Sequence, residues 1–131
     1  MTRWIHVRNL SQDGKTLVRA RWCQSFLCRL RGLTFRGALS DHEGLILVES
    51  ETGRVNTSIH MWMVFFPLGV VWLDADLTVV DQRLARPWGF YFPRRAARFV
   101  LEGTPRLLEA VEIGDRLAFD DESKTAGDPH G

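Results

Sequence analysis

One apolar stretch, Ser58 to Asp74, constrains the fold of this chain more than any other part of its sequence. It reads SIHMWMVFFPLGVVWLD, and His60 is its only ionisable side chain before Asp74. A surface loop does not carry so many apolar residues in succession, so we expect this segment to run through the middle of the fold. A histidine in such a run is either a hydrogen-bonded core residue or the floor of a pocket, and the sequence leaves both open.

The length and composition of the chain fit one globular domain. It has 131 residues, of which 45% are hydrophobic and 25% are charged, and both fractions are ordinary for a globular protein. We predict a single β domain over residues 1–119. Residues 120–131 are polar and rich in glycine, so we predict a disordered C-terminal tail there.

The charge balance and the N-terminal residues bear on partners and location. Lys and Arg number 17 against 16 for Asp and Glu, so we expect no nucleic-acid partner, because a duplex-DNA binder needs a basic surface. No apolar run reaches the roughly 20 residues that a membrane-spanning helix requires. Residues 1–6 do not resemble a signal peptide. The prediction is a cytoplasmic protein without a membrane span, either a monomer or a homodimer.

Short strands and turns dominate the rest of the sequence. Asp13-Gly14 lies between two strand-like runs and predicts a hairpin. A second hairpin is expected across Asp74-Ala75-Asp76. Two short helices are predicted, one over residues 23–33 from its apolar spacing and one opened by Thr104-Pro105. The fold class is therefore mainly β, in the form of a single compact β-sandwich or distorted β-barrel.

Neither a metal site nor a cofactor is predicted. Cys23 and Cys28 lie five residues apart, which on a helix separates their Cα atoms too far for a disulfide, so we expect two buried thiols. His60, Met61 and Met63 suit a soft metal by residue type. On a strand, however, His60 would point away from both methionines.

No catalytic motif identifies a reaction. Ser40, Ser58 and Cys23 are candidate nucleophiles by type alone, and none lies in a pattern that would activate it. The glycines are dispersed and form no phosphate-binding loop. Whether the protein is an enzyme stays open.

The segment PWGFYFP, residues 87–93, is the strongest functional lead in the sequence. Its four aromatic residues cannot all face inward from so short a loop, and exposed aromatic side chains on a rigid loop bind sugars, peptides or partner surfaces. Arg86, Arg94 and Arg95 would add selectivity for anionic groups. The alternative is a hydrophobic plug that caps one end of the domain. The predicted aromatic contacts are Trp88, Phe90, Tyr91 and Phe92.

An ordered set of short motifs resembles the uncharacterised prokaryotic DUF192 family over roughly Val18 to Phe119. The resemblance implies a small mainly β domain and carries no activity with it. The motifs are Arg31-Gly32-Leu33 with Arg36, Gly44, Ile59-His60-Met61 with Met63, Phe66-Pro67-Leu68, Val70-Val71-Trp72-Leu73-Asp74, Val79-Val80, Pro87, Val100-Leu101-Glu102 and Gly114-Asp115.

Two positions depart from the family pattern. Gly69 stands where the family usually has an aspartate, and Gly103-Thr104-Pro105-Arg106 replaces a turn of small residues. If the aspartate helps to form a site, this protein has lost it or uses another carboxylate.

Three hypotheses for the function follow from these observations. The first is a binding or interaction domain whose ligand is a small molecule or a protein, bound at Trp88–Phe92 and the edge near His60, with Arg36 and Arg94 as a polar rim. The second is a small enzyme or ligand-sensing accessory domain with a pocket around His60, Arg36 and Glu102. The third is a structural β domain that homodimerises through the aromatic loop.

Overall fold

The computed structural model describes residues 3–24, 41–55, 57–61, 64 and 66–122, apart from the side chains of Ser50 and His60. Strands dominate this part of the chain, which confirms the predicted mainly β class. The elements are β1 (Trp4–Asn9), β2 (Lys15–Cys23), β3 (Glu43–Gly53), β4 (Ile59–His60), β5 (Leu68–Leu73), β6 (Val79–Ala85), β7 (Phe90–Tyr91), β8 (Ala97–Gly103), a 3₁₀ helix η1 (Pro105–Ala110) and β9 (Leu117–Asp121).

Seven of these strands form one mixed sheet in the order β6-β5-β8-β3-β2-β1-β9. The β2–β3 pair is parallel, and the other pairs are antiparallel. Strands β4 and β7 form a separate two-stranded sheet. Leu117 N donates to Leu77 O at 2.9 Å, so the start of β9 contacts the turn before β6. Strands β6 and β9 are the two ends of this strand order, and closure of the sheet into a sandwich or barrel stays a prediction.

Both predicted hairpins are present, and local turn chemistry explains them. Asn9 pairs with Lys15, and at the end of the five-residue loop between them Asp13 and Gly14 adopt positive φ angles of 65° and 64°, which aspartate and glycine tolerate better than most residues. In the β5–β6 turn, Asp74 Oδ1 accepts hydrogen bonds from the backbone N–H groups of Asp76 and Thr78. Such side-chain bonds to the backbone fix a turn without help from the core.

The large sheet carries an apolar cluster on each face. The cluster beneath β4 and β7 includes Trp72 and Val100, and that beneath η1 includes Val71, Leu101 and Leu107. Every residue of β5 is buried, as expected for the apolar segment that contains it. A strand that is buried on both faces has a nearly continuous run of apolar residues instead of alternating apolar and polar residues. Leu68–Leu73 is such a run.

The predicted helix over residues 23–33 differs from the structure at its first residue. Cys23 is the last residue of β2 and is disulfide-bonded. The expectation of a thiol at Cys23 is therefore wrong, because helical spacing does not apply to a strand residue. Residues 25–40 of this segment, including Cys28, lie outside the described residues. The other predicted helix is present as η1, which begins at Pro105.

Strand β9 continues to Asp121, two residues beyond the boundary predicted at position 119. Arg8 Nε donates to Asp120 at 2.5 Å, and Arg3 Nε donates to Asp121 at 2.7 Å. These ion pairs across the β1–β9 ladder explain why an acidic segment joins the sheet. The rest of the predicted tail, residues 123–131, lies outside the described residues.

Among the described residues, no helix is long and apolar enough to cross a membrane.

Candidate functional site

The aromatic loop, residues 87–93, connects β6 to β8 and is held by backbone hydrogen bonds. Met61 N donates to Gly89 O at 2.7 Å, and Trp88 N donates to Met61 O at 2.9 Å. Within the loop, Gly89 N donates to Arg86 O at 3.1 Å. These bonds attach the loop to the segment that follows β4, so its conformation is fixed before anything binds.

Side chains in this loop alternate between solvent and core. Trp88, Phe90 and Phe92 are 56%, 57% and 45% exposed. Tyr91 is half-buried and packs against the apolar cluster that contains Trp72. Phe90 and Phe92 share one side of an extended backbone, which places residues i and i+2 together, and Trp88 is exposed in the turn just before them. We call these three exposed rings the aromatic patch. The sequence-based interpretation is right that the four aromatics do not all face inward.

Phe90 and Phe92 pack against each other on this surface. Their ring centroids are 5.0 Å apart, and the ring planes meet at 60°. This edge-to-face arrangement is the favourable geometry for two aromatic rings. It makes the pair a compact apolar knob instead of two parallel faces open for stacking.

Trp88 holds an unusual backbone conformation. Its φ angle is +66°, a region that bulky side chains rarely adopt and that costs on the order of 1 kcal/mol. More than half of its side chain nevertheless lies in solvent. Neither backbone preference nor complete burial accounts for a tryptophan at this position.

Tyr91 anchors the loop from inside. Its hydroxyl oxygen accepts a hydrogen bond from Arg86 N at 2.9 Å. A Cβ atom on Gly89 would lie 2.7 Å from the Tyr91 ring, so glycine at position 89 lets the ring pack beneath the loop. Tyr91 thus supports the aromatic patch and is not part of its exposed face.

Arginines from three segments of the chain lie next to the aromatic loop. Arg54 Nε, from the loop after β3, donates to Pro93 O at 2.9 Å. Arg83, from β6, places its guanidinium 5.4 Å from the centroid of the Tyr91 ring. Arg94 follows the loop directly, and its backbone N–H donates to Asp81 Oδ2 at 2.9 Å. The exposed members, which we call the arginine rim, are Arg54, Arg83, Arg86, Arg94 and Arg95.

The electrostatic character of this region differs from that of the whole chain. Residues 82–101 contain five arginines and no acidic residue, whereas the formal net charge of the protein is +1. The remaining residues therefore carry a net charge of −4. The neighbouring Asp81 is 2% exposed, and its oxygens accept the backbone N–H groups of Gln82 and Arg94. Its carboxyl group is directed into the protein and away from the rim surface.

The structure brings together only part of the predicted site. Phe90 and Phe92 contact each other, Trp88 and Arg94 are exposed beside them in the chain, and Tyr91 packs against the core. His60 pairs with Phe90 through the β4–β7 backbone, but its side chain lies outside the description. Arg36 is outside the described residues altogether, so the predicted pocket around His60, Arg36 and Glu102 stays a prediction.

Glu102 is completely buried in β8. It pairs with Val70 on one side and with Leu45 on the other. Both neighbours belong to the apolar cluster beneath β4 and β7, so Glu102 lies among their side chains on that face of the sheet. Its predicted role is in the pocket around His60 and Arg36, where an interior carboxyl group would be required.

Arg54 and Arg83 are members of the rim that the sequence analysis did not propose. Counting charges along residues 82–101 would have found Arg83. Arg54 lies 39 positions before its partner Pro93, and nothing local in the sequence marks it. In the described part of the chain, no group of three or more His, Cys, Asp or Glu side chains could hold a metal ion.

Comparison with known proteins identifies relatives of this chain. The sequence model of DUF192, described as "Uncharacterized ACR", matches residues 8–119. A UPF0127 protein of Pyrococcus furiosus is 33% identical over 113 residues, which cover 85% of this chain and 95% of that protein. A UPF0127 protein of Thermococcus gammatolerans is 36% identical over 98 residues, or 73% of this chain and 63% of that protein.

Two crystal structures share the fold. One is a protein of Sinorhizobium meliloti 1021, described as a candidate transcription regulator. It superimposes with a TM-score of 0.76 at 23% identity, covering 88% of this chain and 93% of that one. The other is a protein of unknown function from Novosphingobium aromaticivorans, with a TM-score of 0.70 at 22% identity, covering 88% and 83%. At these identities the likeness shows the fold alone.

The family match begins ten residues before the N-terminal limit of the predicted resemblance, at residue 8 instead of 18, and ends at the same residue, 119. The archaeal relatives are 32–36% identical to this chain and cover 73–86% of it. The resemblance seen in the sequence motifs is thereby confirmed, and the chain belongs to the DUF192 family.

Proposed function

We propose that this protein is a non-enzymatic binding domain whose contact surface is the aromatic patch with its arginine rim. The observation that carries the proposal is the combination at Trp88 of a positive φ angle and 56% exposure. Strained backbone conformations persist where the surrounding structure enforces them, and they cluster at functional sites. A solvent-exposed indole held in this way is suited to contact with another molecule.

The loop also meets the energetic requirement for tight binding. Its backbone hydrogen bonds to Met61 and the Tyr91 anchor fix the exposed rings in advance. Pre-ordered side chains lose little conformational entropy on association, so more of the contact energy appears as affinity. Aromatic and arginine side chains are also those that contribute most to protein interfaces.

A thermal-shift screen tests the proposal. The purified protein is heated with sugars, nucleotides, acidic metabolites, anionic peptides and divalent metals. A ligand present at about 100 times its Kd adds about 2.7 kcal/mol of stability, which raises the Tm by several degrees. We expect any such shift to disappear in Trp88→Ala/Phe90→Ala.

Ile113→Ala is the matched control, because Ile113 is 56% exposed and lies at the other end of β6, beside Val79. With about 3.3 Å per strand residue, that end is about 20 Å from the loop. A shift that survives in the double variant but is lost in His60→Ala would contradict the proposal and support the predicted pocket. The complete burial of Glu102 is the observation that favours that second candidate.

The proposed homodimer uses the same surface in a different way. If two copies bury the aromatic patch against each other, the protein elutes as a dimer at high micromolar concentration, and Trp88→Ala/Phe90→Ala elutes as a monomer. A monomeric wild-type protein contradicts the homodimer alone. The cytoplasmic location likewise stays a proposal, which cell fractionation tests.

A further inference from the structure

We infer that the aromatic patch and arginine rim dock this domain onto an anionic lipid bilayer, with Trp88, Phe90 and Phe92 inserted at the headgroup level. This inference rests on the proposed function, because it names the occupant of the same surface. It concerns adsorption to a membrane surface and involves no membrane-spanning segment.

The first argument is the shape and chemistry of the patch. Phe90 and Phe92 form an edge-to-face knob with centroids 5.0 Å apart. A sugar ring or a nucleic-acid base binds by stacking on an open aromatic face, and an edge-to-face pair presents less of each face. An apolar knob is instead favoured where it can enter an apolar medium, and tryptophan beside it is typical of membrane interfaces.

The second argument is the charge around the knob. The rim arginines come from the loop after β3, from β6 and its end, and from the segment after the aromatic loop. They are therefore contributed by several separate segments of the chain next to the aromatic loop. A small anion would need convergent donors, whereas a bilayer presents phosphates all around an inserted loop.

The third argument is the contrast between this surface and the rest of the molecule. Residues 82–101 carry five positive charges without an acid, against −4 for the remainder of the chain, so an anionic surface attracts this segment more than the rest. The aromatic patch lies within the positive region. Electrostatic attraction therefore brings the apolar rings to the bilayer, and their insertion holds them there.

Vesicle co-sedimentation of the full chain tests the inference. The probes are vesicles of phosphatidylcholine alone and vesicles that contain about one third phosphatidylglycerol. We expect binding to the anionic vesicles at least about tenfold above binding to the neutral ones, and weaker binding at high salt. Trp88→Ala/Phe90→Ala is expected to lower the partition coefficient about tenfold or more. Arg94→Glu is expected to lower it by about tenfold.

The matched controls are Ile113→Ala and Arg116→Glu, which change an exposed apolar residue and an exposed arginine at the far end of β6. Both are expected to bind like the wild type. Quenching by brominated lipids gives a second readout on the unmodified protein. The chain has five tryptophans, so the quenching lost in Trp88→Phe isolates the contribution of Trp88, which we expect to be the largest.

Three results would overturn the inference. One is the absence of binding to anionic vesicles at low salt. Another is binding that Arg94→Glu abolishes but the aromatic double variant leaves intact, because this would be unspecific electrostatic adsorption. The third is stronger binding to a single-stranded oligonucleotide than to the vesicles. If the protein does not bind the vesicles but a soluble ligand gives a thermal shift that depends on Trp88, the proposed function stands and only the lipid occupant is wrong.

Discussion

Gly69 lies so close to Thr104 that a Cβ atom at position 69 would be 2.6 Å from the Thr104 carbonyl oxygen and 3.4 Å from Pro105 Cα. The two departures from the DUF192 pattern, at Gly69 and at Gly103–Arg106, are therefore one contact in the structure. Backbone atoms cannot move aside as the end of a flexible side chain can. The missing aspartate at position 69 is thus explained by close packing of β5 against the start of η1.

Gly69→Ala is expected to lower the free energy of unfolding by about 1–3 kcal/mol, the usual cost of forcing an extra group into a packed region. Urea denaturation measures it. Gly103→Ala is the matched control, because Gly103 pairs with Gly69 in the sheet, but its Cβ would meet the Leu107 side chain at 3.3 Å and a backbone atom, Glu43 O, only at 3.7 Å. Equal losses in the two variants would contradict the steric explanation.

Trp72 and Trp88 are expected to differ in their effect on stability. Trp72 is completely buried, and its Nε1 donates to Thr57 O at 2.7 Å, so Trp72→Ala should cost about 3–5 kcal/mol. Trp88→Ala should cost less than about 2 kcal/mol, because more than half of the side chain is already in solvent. Denaturant midpoints compare them. A larger loss at Trp88 would favour the hydrophobic-plug interpretation of the loop.

Local signals allowed the hairpins to be predicted, but pairing between distant segments could not be. Asp13-Gly14 specifies its turn through its own backbone preferences. Residues 50–53 look like a turn by composition, yet they continue β3 because Gly53 pairs with Ala97. The parallel β2–β3 pair likewise depends on long-range contacts that carry no local pattern.

The candidate site, too, could be predicted from the sequence only in part. The prolines at both ends of the four aromatic residues indicated a loop, and four aromatic rings in so short a loop indicated that some of them are exposed. Which ring turns inward depends on the hydrogen bond from Arg86 N to the Tyr91 hydroxyl and on the space above Gly89. Both are tertiary contacts, so the division between patch and anchor could be assigned only from the fold.

Asp115 is a buried carboxyl group whose role is structural. It accepts hydrogen bonds from Asn9 Nδ2 at 2.8 Å, Gln12 Nε2 at 2.7 Å and Glu112 N at 2.9 Å. Burial alone would raise its pKa, but these three donors outweigh burial and lower the pKa of Asp115 below its ordinary value. Together they join the first hairpin turn to the segment before β9.

Asp115→Asn is expected to cost about 1–3 kcal/mol, because the new amide N–H₂ group would face donors that need an acceptor. Thermal unfolding at neutral pH measures the loss. Asp76→Asn is a suitable control, because Asp76 is exposed and takes part in its turn through its backbone N–H. A neutral effect of Asp115→Asn would show that the three hydrogen bonds do not depend on the negative charge.

Glu122 couples the end of β9 to β2 and makes stability depend on pH. Arg19 donates from Nε and Nη2 to its two oxygens at 2.8 Å each, and His6 Nε2 lies 3.1 Å from Oε1. Arg19 first, and His6 after it, lower the pKa of Glu122 to about 2, from an ordinary value of 4.5. A carboxyl group whose pKa is lower in the folded state than in the unfolded state stabilises the fold at pH values above its unfolded-state pKa.

The contribution of Glu122 is therefore expected to be complete above about pH 5 and to disappear as the pH falls through the interval from 4.5 to about 2. Urea unfolding at several pH values in this range measures it. Glu122→Gln should flatten the acid side of the profile, while Glu112→Gln, at an exposed position, should leave it unchanged. If both variants keep the wild-type slope, the ion pair with Arg19 does not persist in solution, and other carboxyls govern the acid sensitivity.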